Sequence, residues 1–158
     1  MDIEWESDEG LITDPFYEIA IHIKLTGIIT ITIQDIRLFN EKTENDERLS
    51  VDNISKAIVC IVADEALRFI KKIMENGALS FFCVSCYWLD LSAVFGECIR
   101  DVLNEYGIRL DFHNLYSIEA AREAWAELSE AKERLSIKLT TDITRQKKCK
   151  GVSCEVDT

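Results

Sequence analysis

The chain has 158 residues, a formal net charge of −11, 47% apolar residues and a single proline. A chain of this length can bury one hydrophobic core, and so few prolines and glycines leave little room for linkers or low-complexity segments. No apolar run approaches the ~20 residues of a membrane-spanning helix, and the first residues lack the basic and then apolar layout of a signal peptide. The composition excludes an integral membrane protein and predicts one soluble, cytoplasmic domain.

The negative charge is concentrated in the first part of the chain. Residues 1–64 contain 14 acidic and 5 basic residues, whereas residues 65–158 contain 15 and 13. The N-terminal segment 1–15 contains acidic residues and no basic one. A surface of this sign repels nucleic acid and anionic membranes, so the sequence predicts a cationic protein partner and no direct contact with either.

The segment after the acidic N-terminus predicts a β-hairpin. Residues 16–25 and 28–39 alternate apolar and polar side chains and are rich in β-branched residues, as strands are. Thr26 and Gly27 stand between them as the turn. The polar segment 40–53 that follows predicts an exposed loop, which extends the acidic surface.

Residues 54–77 carry apolar side chains at helical spacing, including Ile58, Val62 and Ile70. This spacing predicts a long helix that ends at Gly77. The continuous apolar run over residues 58–62 leaves a buried strand as the alternative for the first part.

The stretch 78–112 predicts a strand, a helix and a second strand. Residues 78–88 form a dense apolar run that is typical of a buried strand, and apolar side chains from Val94 to Tyr106 recur as in an amphipathic helix. Gly107 stands where a left-handed C-terminal cap is expected, and residues 108–112 alternate again. A crossover of this length predicts that the two strands are parallel.

After a loop at 113–116, the sequence predicts a last helix that begins at Ser117 and extends to Leu139. Its apolar residues follow spacings close to a heptad seam: Ile118, Ala121, Trp125, Leu128, Leu135 and Leu139. Lys132 interrupts the seam, so we expect the helix to pack on its own sheet, with self-association through residues 118–139 as the alternative. Residues 140–158 predict a polar, partly basic tail, or a small hairpin that brings Cys149 and Cys154 close.

Together these elements predict a single α/β domain over residues 1–139, with α+β as the alternative class. The predicted order is ββαβαβα, with an N-terminal β-hairpin and helices packed on the sheet. Over about residues 16–139 this order resembles that of the small STAS-type regulatory domains. The resemblance implies partner contacts near Asp90 and Ser92, which lie between the predicted central strand and its helix. Helix capping is the alternative role for both residues.

The residues that could carry chemistry are few. Cys83 and Cys86 have the spacing of half a zinc site or of a redox pair, but residues three apart on a strand point to opposite faces. We therefore expect buried, separate thiols, as for Cys60 and Cys98, and no metal. The histidines are isolated in sequence, and there is no glycine-rich phosphate loop or nucleophile elbow. The sequence predicts no catalytic residue and no cofactor.

The sequence thus predicts a non-enzymatic interaction module that binds and inhibits a basic protein, such as a nuclease or another nucleic-acid-binding protein. An immunity-type, anti-restriction or anti-CRISPR inhibitor acts in this way, with or without mimicking nucleic acid. The predicted contact residues are Glu4, Glu6, Asp8, Glu9, Glu41, Glu44, Asp46, Glu47, Asp90 and Ser92. The alternatives are a STAS-like regulatory domain and a small enzyme that uses dispersed acids with His113.

Overall fold

The computed structural model describes residues 1–44, 54–77 and 79–151. Within these ranges the elements in chain order are β1 (Asp2–Glu6), β2 (Gly10–Asp14), β3 (Ile19–Ile33), α1 (Ile36–Glu44), α2 (Ile54–Gly77), α3 (Phe81–Cys86), α4 (Trp88–Glu105), β4 (Ile108–Ala120) and α5 (Arg122–Gly151). The chain has an α/β fold that starts with a β-hairpin, as predicted. It divides into two compact units, Met1–Ala121 and Arg122–Thr158.

The long strand β3 is the centre of the sheet. β4 pairs with it over residues 23–33, β1 pairs with residues 26–30 and β2 with residues 19–23. Every pairing is antiparallel, so the predicted parallel crossover is wrong. Helix α2 packs on β1, β2 and β3, and α4 packs on β4.

The turn of the hairpin lies at residues 15–18, between β2 and β3. Pro15 follows Asp14, whose Oδ1 accepts hydrogen bonds from the backbone N–H groups of Phe16 at 2.9 Å and Tyr17 at 3.1 Å. The N–H of Glu18 donates to the Asp14 carbonyl at 2.8 Å, and Glu18 has a positive φ of 57°. An aspartate followed by proline is a strong turn signal, because the carboxylate satisfies the turn's own backbone donors.

The turn predicted at Thr26 and Gly27 is wrong, because both residues lie inside β3. Gly27 pairs with Trp5 of β1. A Cβ at Gly27 would lie 2.8 Å from Cζ2 of Trp5 and 2.6 Å from the carbonyl oxygen of Asn114. Glycine is therefore needed here for close approach inside the sheet and not for a turn.

The strand predicted over residues 28–39 ends at Ile33. Asp35 then caps the N-terminus of α1, because its Oδ1 accepts hydrogen bonds from two backbone N–H groups of the first turn, each at 3.0 Å. The loop predicted over residues 40–53 is therefore wrong in its first part, and Glu41 and Glu44 lie on a helix.

Helix α2 confirms the long helix predicted over residues 54–77. Its buried face consists of Ala57, Ile58, Ile61, Val62, Ala63, Ala66, Phe69, Ile70 and Met74. The β-branched run at its start is thus buried in helical form, and the alternative of a strand is excluded.

The strand predicted over residues 78–88 is wrong, because α3 covers Phe81–Cys86 and α4 begins at Trp88. The N–H of Phe81, the first residue of α3, donates to Oδ2 of the buried Asp14 at 2.6 Å. Phe81 and Val84 are buried, and Tyr87 separates α3 from α4. A short apolar run fits a buried helix as well as a strand. Here an acceptor for the first helical N–H group favours the helix.

Helix α4 begins at Trp88, so Asp90 and Ser92 lie in the helix and not in a loop after a strand. The predicted row of buried residues is observed at Phe95, Ile99 and Leu103. Val94, predicted on the same apolar face, is exposed. Gly107 follows α4 with a φ of 71°, which confirms the predicted left-handed cap.

Strand β4 confirms the strand predicted over residues 108–112 and continues through the predicted loop at 113–116. Ser117 therefore caps no helix, and its Oγ lies 2.9 Å from Oγ1 of Thr26 on β3. Helix α5 starts at Arg122 and continues to Gly151, through residues predicted as a tail. The alternative hairpin that includes Cys154 falls outside the described residues, and the packing partner of the apolar seam stays a prediction.

None of the helices in the described ranges is both long and apolar enough to cross a membrane.

The buried Asp14 joins the hairpin turn to α3, and its replacement tests this connection. We expect Asp14→Ala to lower the free energy of unfolding by about 3 kcal/mol, because the buried N–H of Phe81 loses its acceptor. Asp14→Asn keeps one acceptor oxygen and should cost less. Urea unfolding of both variants checks this, and a loss below about 1 kcal/mol for Asp14→Ala would contradict it.

Candidate functional site

Strand β1 carries acidic side chains at alternate positions. Asp2, Glu4 and Glu6 are exposed, whereas Ile3 and Trp5 between them are buried. Because successive side chains on a strand point to opposite faces, the three carboxylates form a row with a spacing of ~6.7 Å along the strand. The alternation of β1 therefore separates the core from an acidic outer face.

The register of pairing with β3 shifts by one residue between β1 and β2. Ser7 stabilises this shift, which we call the slip at Ser7. The backbone N–H of Ser7 donates to the carbonyl of Leu25 at 2.9 Å, and its Oγ accepts the N–H of Leu25 at 3.0 Å. One buried residue thus satisfies both backbone groups of Leu25. Asp8 and Glu9 lie outside the ladder and are exposed.

We call Asp2, Glu4, Glu6, Asp8 and Glu9 the acidic strip. Two of its carboxylates have partners: Oδ1 of Asp2 accepts a hydrogen bond from Oγ1 of Thr30 at 2.8 Å, and Nζ of Lys24 lies 2.6 Å from Oε1 of Glu6. The other three carboxylates form no ion pair with any residue that the structure describes.

Lys24 on β3 is surrounded by negative charge. Its hydrogen bond to Glu6 raises the pKa of Lys24, and the charges of Glu6, Glu119 and Glu9 add to that increase. One lysine thus faces three carboxylates, which leaves this part of the surface negative. Because the pair of Lys24 and Glu6 is exposed, it contributes little to stability and is screened by salt.

A recess of about 260 Å³ lies beside the acidic strip. It is lined by Glu4, Trp5, Glu6, Thr26, Gly27 and Tyr116. The Tyr116 side chain is 46% exposed. Carboxylates near a tyrosine ring suit a cationic side chain, because the carboxylates accept its hydrogen bonds and the ring face attracts its charge.

The remaining predicted acidic residues lie elsewhere. Glu41 and Glu44 are exposed on α1, a different element from the strip. Asp46 and Glu47 fall outside the described residues. Asp90 is exposed in the first turn of α4, where a carboxylate interacts favourably with the helix dipole.

Ser92 is buried and connects α4 to β4. Its Oγ accepts the backbone N–H of Leu115 at 3.1 Å, and its carbonyl oxygen lies 2.9 Å from Nε2 of His113. The His113 ring also lies against Gly96, where a Cβ would be 1.9 Å from the ring. The structure therefore assigns Ser92 and His113 to internal packing, and Ser92 is not accessible to a partner.

The prediction of buried thiols is wrong for Cys60, Cys83 and Cys86, which are exposed, while Cys98 is half-buried. Among the residues that the structure describes, no group of three or more His, Cys, Asp or Glu side chains could hold a metal ion.

The sequence did not identify Lys24, Thr26 and Tyr116 as part of the site. Lys24 and Thr26 stand at the polar positions of β3, so its alternation was a usable signal for both. Tyr116 reaches the recess only because β4 pairs with β3, and a pairing between segments this distant in sequence leaves no local signal.

The sequence matches no protein-family model and has no significant match among curated proteins.

The packing of His113 against Gly96 generates a stability prediction. We expect Gly96→Ala to lower the free energy of unfolding by about 2 kcal/mol, because the new methyl group displaces the His113 ring. In a His113→Ala background the same change should cost less than about 0.5 kcal/mol. Urea unfolding of the double-mutant cycle measures the coupling, and additive effects would contradict the prediction.

Proposed function

We propose that the protein is an acidic, non-enzymatic interaction module that binds a basic surface of another protein through the acidic strip. The observation that carries this proposal is the position of the carboxylates on β1. The burial of Ile3 and Trp5 fixes the strand, so Asp2, Glu4 and Glu6 are displayed in a fixed row. A fixed row favours binding, because less conformational freedom is lost when a partner binds.

The recess beside the strip supports a more specific form of this proposal. Glu4 and Glu6 stand near the exposed ring of Tyr116. A single lysine or arginine side chain of the partner fits this set of groups and would act as the anchor of the interface. Asp8 and Glu9, which form no ion pair with the described residues, would then attract the surrounding basic surface.

The intrachain partners of the strip favour a basic protein patch over mimicry of a nucleic acid. Oδ1 of Asp2 accepts a hydrogen bond from Thr30, and Glu6 forms an ion pair with Lys24. The strip therefore offers fewer unpaired charges than a phosphate backbone, in which every phosphate is charged.

Nucleic-acid-binding proteins, nucleases among them, offer basic surfaces of the required kind. If the acidic strip covers such a surface, the partner loses access to its nucleic acid. Inhibition of the immunity or anti-restriction type is the form of the proposal that follows from this competition.

The STAS-like alternative receives no support from the fold. The resemblance depended on the predicted order of elements, but three strands precede four helices, one strand and a final helix. The segment before Asp90 is helical, so the loop expected at this position is not present.

The proposal is tested by charge reversal within the strip. The immobilised protein is used to capture proteins from the native host, and a captured basic protein is then studied in isolation. We expect Glu4→Lys with Asp8→Lys to slow its association at least about tenfold at low salt, because electrostatic steering is lost. The melting temperature should change by less than about 2 °C, because both side chains are exposed.

The matched control for this test is Asp101→Lys with Glu105→Lys. These residues are exposed on α4, and their replacement changes the net charge by the same amount. We expect the control to slow association less than about threefold. An equal effect of the two double variants would show that only net charge matters and would overturn the proposal.

Replacement of Lys24 should raise the association rate, whereas charge reversal in the strip should lower it. Lys24→Gln removes the base that neutralises Glu6, so association with the same partner should become about two- to fivefold faster at low salt. The increase should disappear at high salt because charges are then screened. Lys71→Gln, which removes a lysine paired with Glu75 on α2, is the control and should leave the rate unchanged. Slower association of Lys24→Gln would contradict the assignment of the strip.

A further inference from the structure

Cys83 and Cys86 are two exposed thiols on one short helix, α3. Side chains three residues apart on a helix lie on the same face, with Cβ atoms ~5–6 Å apart. The sequence argument that separated these thiols assumed a strand, so it does not apply to the observed structure. We propose that Cys83 and Cys86 form a dithiol site that reacts with disulfides of the glutathione class and closes into an intramolecular disulfide.

The end of α3 can supply the adjustment that the disulfide needs. A disulfide requires Cβ atoms ~3.5–4.5 Å apart, so the two residues have to approach by ~1–2 Å. Cys86 is the last residue of α3, and Tyr87 after it leaves helical geometry with φ −106° and ψ 22°. The required movement therefore falls at a helix terminus, where fewer backbone hydrogen bonds are affected.

The other side of α3 is fixed to the sheet. Phe81 and Val84 are buried, and the N–H of Phe81 donates to the buried Asp14. The outward face with both thiols thus stays accessible while the helix remains attached. This arrangement separates the reactive face from the residues that hold the helix.

Ser80 distinguishes the two thiols. Its Oγ donates a hydrogen bond to Sγ of Cys83 at 3.7 Å. This hydrogen bond makes the two thiols inequivalent, and the thiolate is the form that attacks a disulfide. The geometry therefore makes Cys83 the attacking residue and Cys86 the resolving residue.

The reaction proceeds in two exchange steps. The Cys83 thiolate attacks one sulfur of glutathione disulfide, so that the disulfide bond breaks, one glutathione thiolate leaves and a mixed disulfide forms at Cys83. Cys86 then loses its proton and attacks the Cys83 sulfur, which releases the second glutathione. The protein loses two electrons and two protons, and these reduce one glutathione disulfide to two glutathione molecules.

The test uses the folded 158-residue chain with Cys98→Ala, so that Cys83 and Cys86 are the only cysteines in the tryptic peptide 73–100. The protein is incubated with glutathione disulfide, free thiols are blocked, and the peptide is weighed by mass spectrometry. We expect a peptide that is lighter by two hydrogens and carries no glutathione. Cys86→Ser should instead retain one glutathione on Cys83, at a level at least about tenfold above that of the parent, and Cys83→Ser should form an adduct more slowly than Cys86→Ser.

A variant with exchanged positions tests the role of the helix. Ser85→Cys with Cys86→Ser keeps the composition but places the two thiols two residues apart, on different faces of α3. We expect this variant to accumulate glutathione adducts without internal closure. Equal closure in this variant would overturn the proposal, as would a parent protein that keeps glutathione on either cysteine. The exposed Cys60 on α2 is the internal reference, and a reaction at Cys60 without one at α3 would also overturn the proposal.

Discussion

Every strand of the sheet is hydrogen-bonded to β3, so the register of this strand determines both faces of the sheet. On the inner face Ile21, Ile23, Leu25, Ile29 and Ile31 are fully or almost fully buried. The residues between them face outward, where Lys24 meets the carboxylates of β1. Because side chains alternate, a slip of one residue would move the whole apolar row to the outside. The register of β3 thus determines both the packing of the core and the charge pattern of the outer face.

The parts of the fold that were predicted correctly depend on local patterns. Helical spacing identified α2 and the buried row of α4, and the glycine that follows this row identified the cap at Gly107. The strand predicted over residues 78–88 was a misassignment, because this apolar run has no decisive period. Its helix depends instead on Asp14, which is 67 residues distant from Phe81 in sequence. Such a contact is visible only when the chain has folded.

The acidic strip was partly visible in the sequence. The acidic residues at positions 4, 6, 8 and 9 were singled out by charge, but Ile3 and Trp5 also alternate with them and indicate a strand. The error about Cys83 and Cys86 followed from the misassigned segment. Residues three apart point to opposite faces of a strand, whereas they lie on the same face of a helix. An error in one element thus changed the inferred chemistry of its side chains.

The slip at Ser7 has a consequence for association of the chain with itself. β1 and β2 lie at an edge of the sheet, and a regular edge strand is a template on which another copy can add and begin an aggregate. The slip interrupts that template between the two strands, and the carboxylates of β1 would face like charges on an approaching copy. Like-charge repulsion at the acidic strip therefore disfavours the addition of a second copy at this edge of the sheet.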